Sequence, residues 1–144
     1  MKMTSVLATA LVALFSTQAF AINTQGVWKG SGKLTSNQGG SIDCESMIVK
    51  IAHTATMMKV DSEFTCQGEK QVAPGGELAI KGGEVWANGK RVGTITDSSL
   101  TMSSDNGERK LDTKSTWTQN EMKFHTVSTF PTGLVLTFVG TVRR

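Results

Sequence analysis

From residue 84 onward the chain alternates apolar and polar positions with a period of two, and Asn-Gly or Pro-Thr-Gly punctuation interrupts the alternation at short intervals. Asn88-Gly89, Asn106-Gly107 and Gln119-Asn120 each lie between such segments, and Asn-Gly readily takes the positive φ angles of a two-residue hairpin turn. A turn centred on Asn106-Gly107 pairs Met102 with Leu111 and Leu100 with Thr113. A turn centred on Gln119-Asn120 pairs Trp117 with Met122 and Ser115 with Phe124, and sets Lys114 against His125 on the other face. The turn Pro131-Thr132-Gly133 then places Ser128 opposite Leu136, Thr126 opposite Phe138 and Phe124 opposite Gly140. All three hairpins agree on one inner set that includes Leu100, Met102, Leu111, Trp117, Met122, Phe124, Leu136, Phe138 and Val142. A slip of one residue would turn every one of them outward.

The upstream half has the same character with a weaker signal. Strands are expected over 26–34, 42–53, 57–66, 77–80, 84–87 and 90–96, mostly separated by Gly and Ser clusters. Met47, Val49 and Ile51 share odd parity, whereas Cys44 is even. Direct pairing of Cys44 with Cys66 therefore calls for a bulge between Cys44 and Met47 or a bridge at the strand end. No segment reads as a long amphipathic helix. The pattern predicts an all-β protein, a small up-and-down antiparallel β-barrel of about eight to ten strands with one disulfide, since closure is the simplest way for such a meander to lose its edges.

Residues 1–21, MKMTSVLATALVALFSTQAFA, read differently. Lys2, an apolar run too short to span a bilayer, and the small-x-small Ala19-Phe20-Ala21 predict a secretory signal peptide cleaved after Ala21. No cysteine follows that cut, so no lipid anchor is expected. Residues 22–144 then form a single barrel domain, periplasmic or secreted from a bacterium. Of the 15 Lys and Arg one is Lys2 in the leader, leaving a mild excess over the 12 Asp and Glu, with the signs interspersed. Such a surface gives nucleic acid nothing to bind. Cys44 and Cys66 are the only cysteines, lack Cys-x-x-Cys spacing, and in an oxidising compartment predict one structural disulfide. A membrane-spanning barrel needs an apolar outer face, and here Lys110, Asp112, Lys114 and Lys123, with Lys59, Asp61 and Glu63, face outward. No membrane span is expected.

Candidate chemistry is sparse. The chain has two histidines and no tyrosine. His125 shares the outer face with Lys114, and His53 sits at a hairpin end, where a surface role is expected. No ligand spacing for a metal is present, the Gly pairs read as turns, and no cofactor is implied. No catalytic residues are assigned, and the protein is expected not to be an enzyme. The interior is more informative, because the register that buries Trp117, Phe124 and Phe138 also turns Thr113, Ser115, Thr126 and Ser128 inward. Hydroxyls among aromatics suit a cavity holding an amphipathic molecule or water. They also suit a filled barrel whose hydroxyls bond to nearby carbonyls.

Gly26-Val27-Trp28 opens the first strand and Arg143-Arg144 ends the last. That layout resembles the calycins (lipocalins, fatty-acid-binding proteins and avidin-like barrels), in which Gly-x-Trp in the first strand is covered by a basic side chain from the last. The resemblance implies that Arg144, inward by parity, lies over Trp28, with Gly26 opening the motif. A plain core tryptophan and a solvated arginine tail remain the alternative. The chain also resembles the small periplasmic inhibitors of bacterial secreted metalloproteases, which share Gly-x-Trp and one early disulfide, although only residues 22–25 would form their inserting arm.

The leading expectation is an exported, non-enzymatic protein that takes a small apolar or amphipathic ligand inside the barrel. Its contacts would be Trp117, Phe124, Phe138, Met102, Thr126 and Ser115. The alternative is a cell-envelope interaction module, such as a protease inhibitor, that binds a protein partner through surface and loops.

Overall fold

The structure, a computed structural model, describes residues 24–73 and 75–144; the expected leader and its cleavage site lie outside the described residues. Eleven strands follow one another: β1 (Gly26–Ser36), β2 (Ser41–His53), β3 (Met57–Cys66), β4 (Glu69–Ala73), β5 (Glu77–Lys81), β6 (Glu84–Ala87), β7 (Lys90–Ile95), β8 (Ser99–Asp105), β9 (Lys110–Trp117), β10 (Glu121–Thr129) and β11 (Val135–Arg143). Each pairs antiparallel with its chain neighbour, apart from the detour at β4, and β1 pairs with β11 to close a ten-stranded barrel. The eleventh strand, β4, stands outside that ring. β3 pairs with β5 along Met57–Lys59 and then exchanges it for β4 along Ser62–Cys66.

β4 was not expected, because Gln67-Gly68 is an unusual turn. Both residues have positive φ, 52° and 79°, which a glutamine adopts only with support. The support comes from Glu45, whose carboxylate accepts hydrogen bonds from the Gln67 and Gly68 amides at 3.0 and 2.9 Å. Glu45 is free to do so because it is the bulged residue of β2. The ladder runs Cys44 with Cys66 and then Ser46 with Thr65, which restores Met47 to the inner face opposite Phe64. The Cys44 and Cys66 sulfurs are at disulfide distance.

The two downstream hairpins have the expected registers, with Met122 opposite Trp117 and Phe138 opposite Thr126. The β8–β9 hairpin differs. Met102 pairs with Thr113 and Leu100 with Ser115, two residues along from the pairing that Asn106-Gly107 predicts. The loop holds four residues because the Asn106 side chain accepts from the amides of Glu108 and Arg109, while Asp105 accepts from Gly107. A slip of two keeps every side chain on its face, so Leu100 and Met102 still point inward.

Barrel curvature depends on β1 crossing close to β11. A side chain at Gly30 would collide with the Thr141 carbonyl, so only glycine permits that approach. The core fills one end of the barrel, where Trp28, Val49, Val85, Met122 and Val142 are fully buried. No described residue belongs to a helix able to cross a membrane.

Candidate functional site

Above that packed end the interior is open. A cavity of about 280 Å³ is lined by Met47 and Val49 of β2, Val60, Ser62 and Phe64 of β3, Leu78 of β5 and Gly76 just before it. Leu100 and Met102 of β8, Thr113 and Ser115 of β9, Phe124 and Thr126 of β10, and Phe138 of β11 complete it. These are the inward positions of strands whose outward positions carry charge, so the lining follows directly from the alternation. None of the described lining side chains is charged.

Two aromatic rings shape one side. Phe64 and Phe138 meet edge to face, their centroids 5.3 Å apart and planes at 79°. Phe138 takes its place because Gly140 offers it a bare backbone: a Cβ there would come within 3.0 Å of both the Phe138 ring and the Met47 sulfur. The opposite wall carries the hydroxyls. Thr113 and Thr126, directly paired across β9 and β10, share a hydrogen bond of 3.3 Å. Ser115 is only 3% exposed, and neither its hydroxyl nor that of Ser62 is hydrogen-bonded to another described residue.

Of the six side chains expected to contact a ligand, Phe124, Phe138, Met102, Thr126 and Ser115 line this cavity. Trp117 lies below it in the packed end, where its indole N–H donates to the Asp97 carbonyl at 2.8 Å. The β3 residues Val60, Ser62 and Phe64 were not singled out in the sequence. They were nevertheless implied by it, since an outward Lys59, Asp61 and Glu63 leaves them inward.

The packed end is tied by its own network. Trp28 is fully buried, donates its indole N–H to the Thr24 carbonyl at 2.8 Å, and lies under the Arg144 guanidinium at 4.4 Å from the ring centroid. Gly26 opens this strand at φ 131°. Arg144 also donates to the carbonyls of Gln119 and Gln25. His53, for which a surface role at the hairpin end is expected, belongs to this network. It is half-buried, hydrogen-bonded through Nδ1 to the fully buried Thr24 hydroxyl at 2.8 Å, and its burial holds its pKa below the usual histidine value. The second histidine, His125, is exposed on the outer face opposite Lys114. On the same face a hydrogen bond from Ser103 holds the Asp112 carboxyl below its ordinary pKa. Among the described residues no three His, Cys, Asp or Glu side chains converge as a metal site would require.

No protein-family model matches the sequence, and no curated protein matches it. Solved structures do share the fold. An S-type phycobiliprotein lyase, CPES from Guillardia theta, superposes with a TM-score of 0.68 at 9% identity, covering 84% of this chain and 88% of the lyase. A protein of unknown function from the DUF3598 family of Nostoc punctiforme superposes with a TM-score of 0.62 at 16% identity, covering 85% of this chain and 48% of its own. At such identities the likeness shows the fold, a small antiparallel barrel of the kind expected. It also corrects the expectation that the protein is not an enzyme, because a lyase is built on the same barrel.

Proposed function

We propose that this protein binds a small apolar or amphipathic molecule inside its barrel. The observation that carries the reading is the cavity of about 280 Å³, lined by apolar and aromatic side chains with a few hydroxyls. That composition is the one expected of small-molecule sites, and the volume lies near the lower limit of about 300 Å³ for such pockets. A barrel meant only to be stable would fill that space with its own side chains. The lyase built on this barrel supports a reading in which the interior serves a small molecule rather than structure alone.

Export belongs to the same proposal and rests on residues 1–21, with a disulfide between Cys44 and Cys66 suited to an oxidising compartment. The alternative, a protease inhibitor acting through the segment before Gly26, is disfavoured by the burial of Thr24 and the capture of the Gln25 carbonyl by Arg144. Those contacts hold Thr24 and Gln25 against the barrel.

Native mass spectrometry of the protein purified from its own host tests the reading. A co-purifying lipid-like species, lost when Thr126 is replaced by Phe to fill the cavity, is the expected result. A ligand-free spectrum, together with failure to bind any apolar fluorescent probe, would overturn it.

A further inference from the structure

Resting on that reading, the lining says which chemical class the cavity takes. We infer that it binds a neutral amphiphile, an apolar chain or ring bearing an uncharged hydroxyl or carbonyl, which enters polar group first and hydrogen-bonds to Ser115 at the cavity floor.

No described Lys, Arg, His, Asp or Glu lines the cavity. A carboxylate or ammonium carried into it would lose its hydration and meet no counter-charge. The buried part of the ligand must therefore be uncharged. Purely apolar contents are not the best match either. Ser115 is 3% exposed, borders both this cavity and the small void of the packed end beneath, and has a hydroxyl that bonds no other described residue. Among the described residues the buried side-chain polar atom without a partner is the Trp86 indole nitrogen, so the Ser115 hydroxyl is not sealed in but opens onto the cavity, where a hydroxyl or carbonyl on the ligand can bond it.

Position gives the orientation. Ser115 pairs with Leu100 and Phe124, directly above Trp117 and Met122, where the barrel becomes solid. Thr113 and Thr126 lie one step further out and already bond each other. Beyond them stand the rings of Phe64 and Phe138. A bound molecule thus finds its free polar partner at the deep end and an apolar sleeve along the rest.

The test uses the purified protein, a neutral fluorescent probe such as phenylnaphthylamine, and two competitors of equal chain length, decanol and decanoate, at pH 8. Decanol should displace the probe at a concentration at least about tenfold lower than decanoate, because a charged head left outside forfeits the Ser115 contact. Ser115→Ala should weaken decanol by about two- to tenfold, the worth of one hydrogen bond, and decanoate less, each affinity being corrected for the probe's own binding to the variant. Equal or tighter binding of decanoate overturns the inference and leaves cavity binding standing, as does an unchanged decanol affinity in Ser115→Ala. Absence of probe binding to the wild-type protein overturns both.

Discussion

Met122 and Phe124 are two residues apart on β10 and point the same way, yet they border different surroundings, and alanine at each should report that difference. Met122 is 2% exposed within the packed end. Removing its side chain leaves a void enclosed by Trp28, Trp117 and their neighbours, so Met122→Ala should destabilise by about 2–5 kcal/mol. Phe124 is larger, and in a filled core its loss would cost about 3–5 kcal/mol. One side of Phe124, however, borders the existing cavity of about 280 Å³. The space it vacates merges with a volume that is already open. The penalty for a new void, about 2.4 kcal/mol for ~100 Å³ at ~24 cal/mol per Å³, is then largely absent. Phe124→Ala should therefore cost about 2 kcal/mol and no more than Met122→Ala, while His125→Ala on the outer face stays within about 0.5 kcal/mol. Urea unfolding at constant m-value measures all three. A loss at Phe124 clearly above that at Met122 would mean that Phe124 sits in filled core, and would refute the cavity.

Three further outcomes are expected. The oxidised protein should show no free thiol after denaturation in alkylating reagent, and reduction of Cys44–Cys66 should cost about 3 kcal/mol in stability; two thiols alkylated without reduction would refute the bridge. Because burial depresses the His53 pKa below its unfolded value, its contribution is complete above about pH 6.5 and is lost as pH falls through the lower folded value. The urea midpoint should fall accordingly between pH 7 and 5, with a shallower slope in His53→Gln; a midpoint that rises on acidification would contradict it. Glu45→Ala should speed hydrogen exchange at the Gln67 and Gly68 amides, because the carboxylate that holds their turn is gone; unchanged exchange would mean the turn stands unaided.

Legibility in the sequence followed the strength of the local signal. Trp117 opposite Met122 and Phe138 opposite Thr126 could be read because short turns fix register and alternation checks it. The slip at Asn106 escaped because side-chain bonds to Glu108 and Arg109 lengthen the loop, and nothing in the dipeptide announces them. β4 escaped because its turn depends on Glu45, a residue over twenty positions away. The bulge that frees Glu45 was visible as a parity conflict between Cys44 and Met47. At the site, the inward hydroxyls were legible from parity. Whether they faced space or carbonyls was not, since that depends on the summed volume of strands distant in sequence. Trp117 shows the limit: parity sends it inward, and only depth along the barrel separates it from the cavity.

Arg144 reaches the Gln25 carbonyl at 3.2 Å, so the first and last described strands end side by side at the packed end of the barrel. A short linker could join the two ends there, and new ends could be cut at the exposed Asn106–Arg109 loop, giving a circular permutant that keeps every strand pairing of the ring. For the same reason an affinity tag or a fluorescent partner fused next to either of these strands would emerge beside the solid end, away from the mouth a ligand must use. The wild-type barrel is in this sense suited to surface immobilisation by its base, with the cavity left facing the solution.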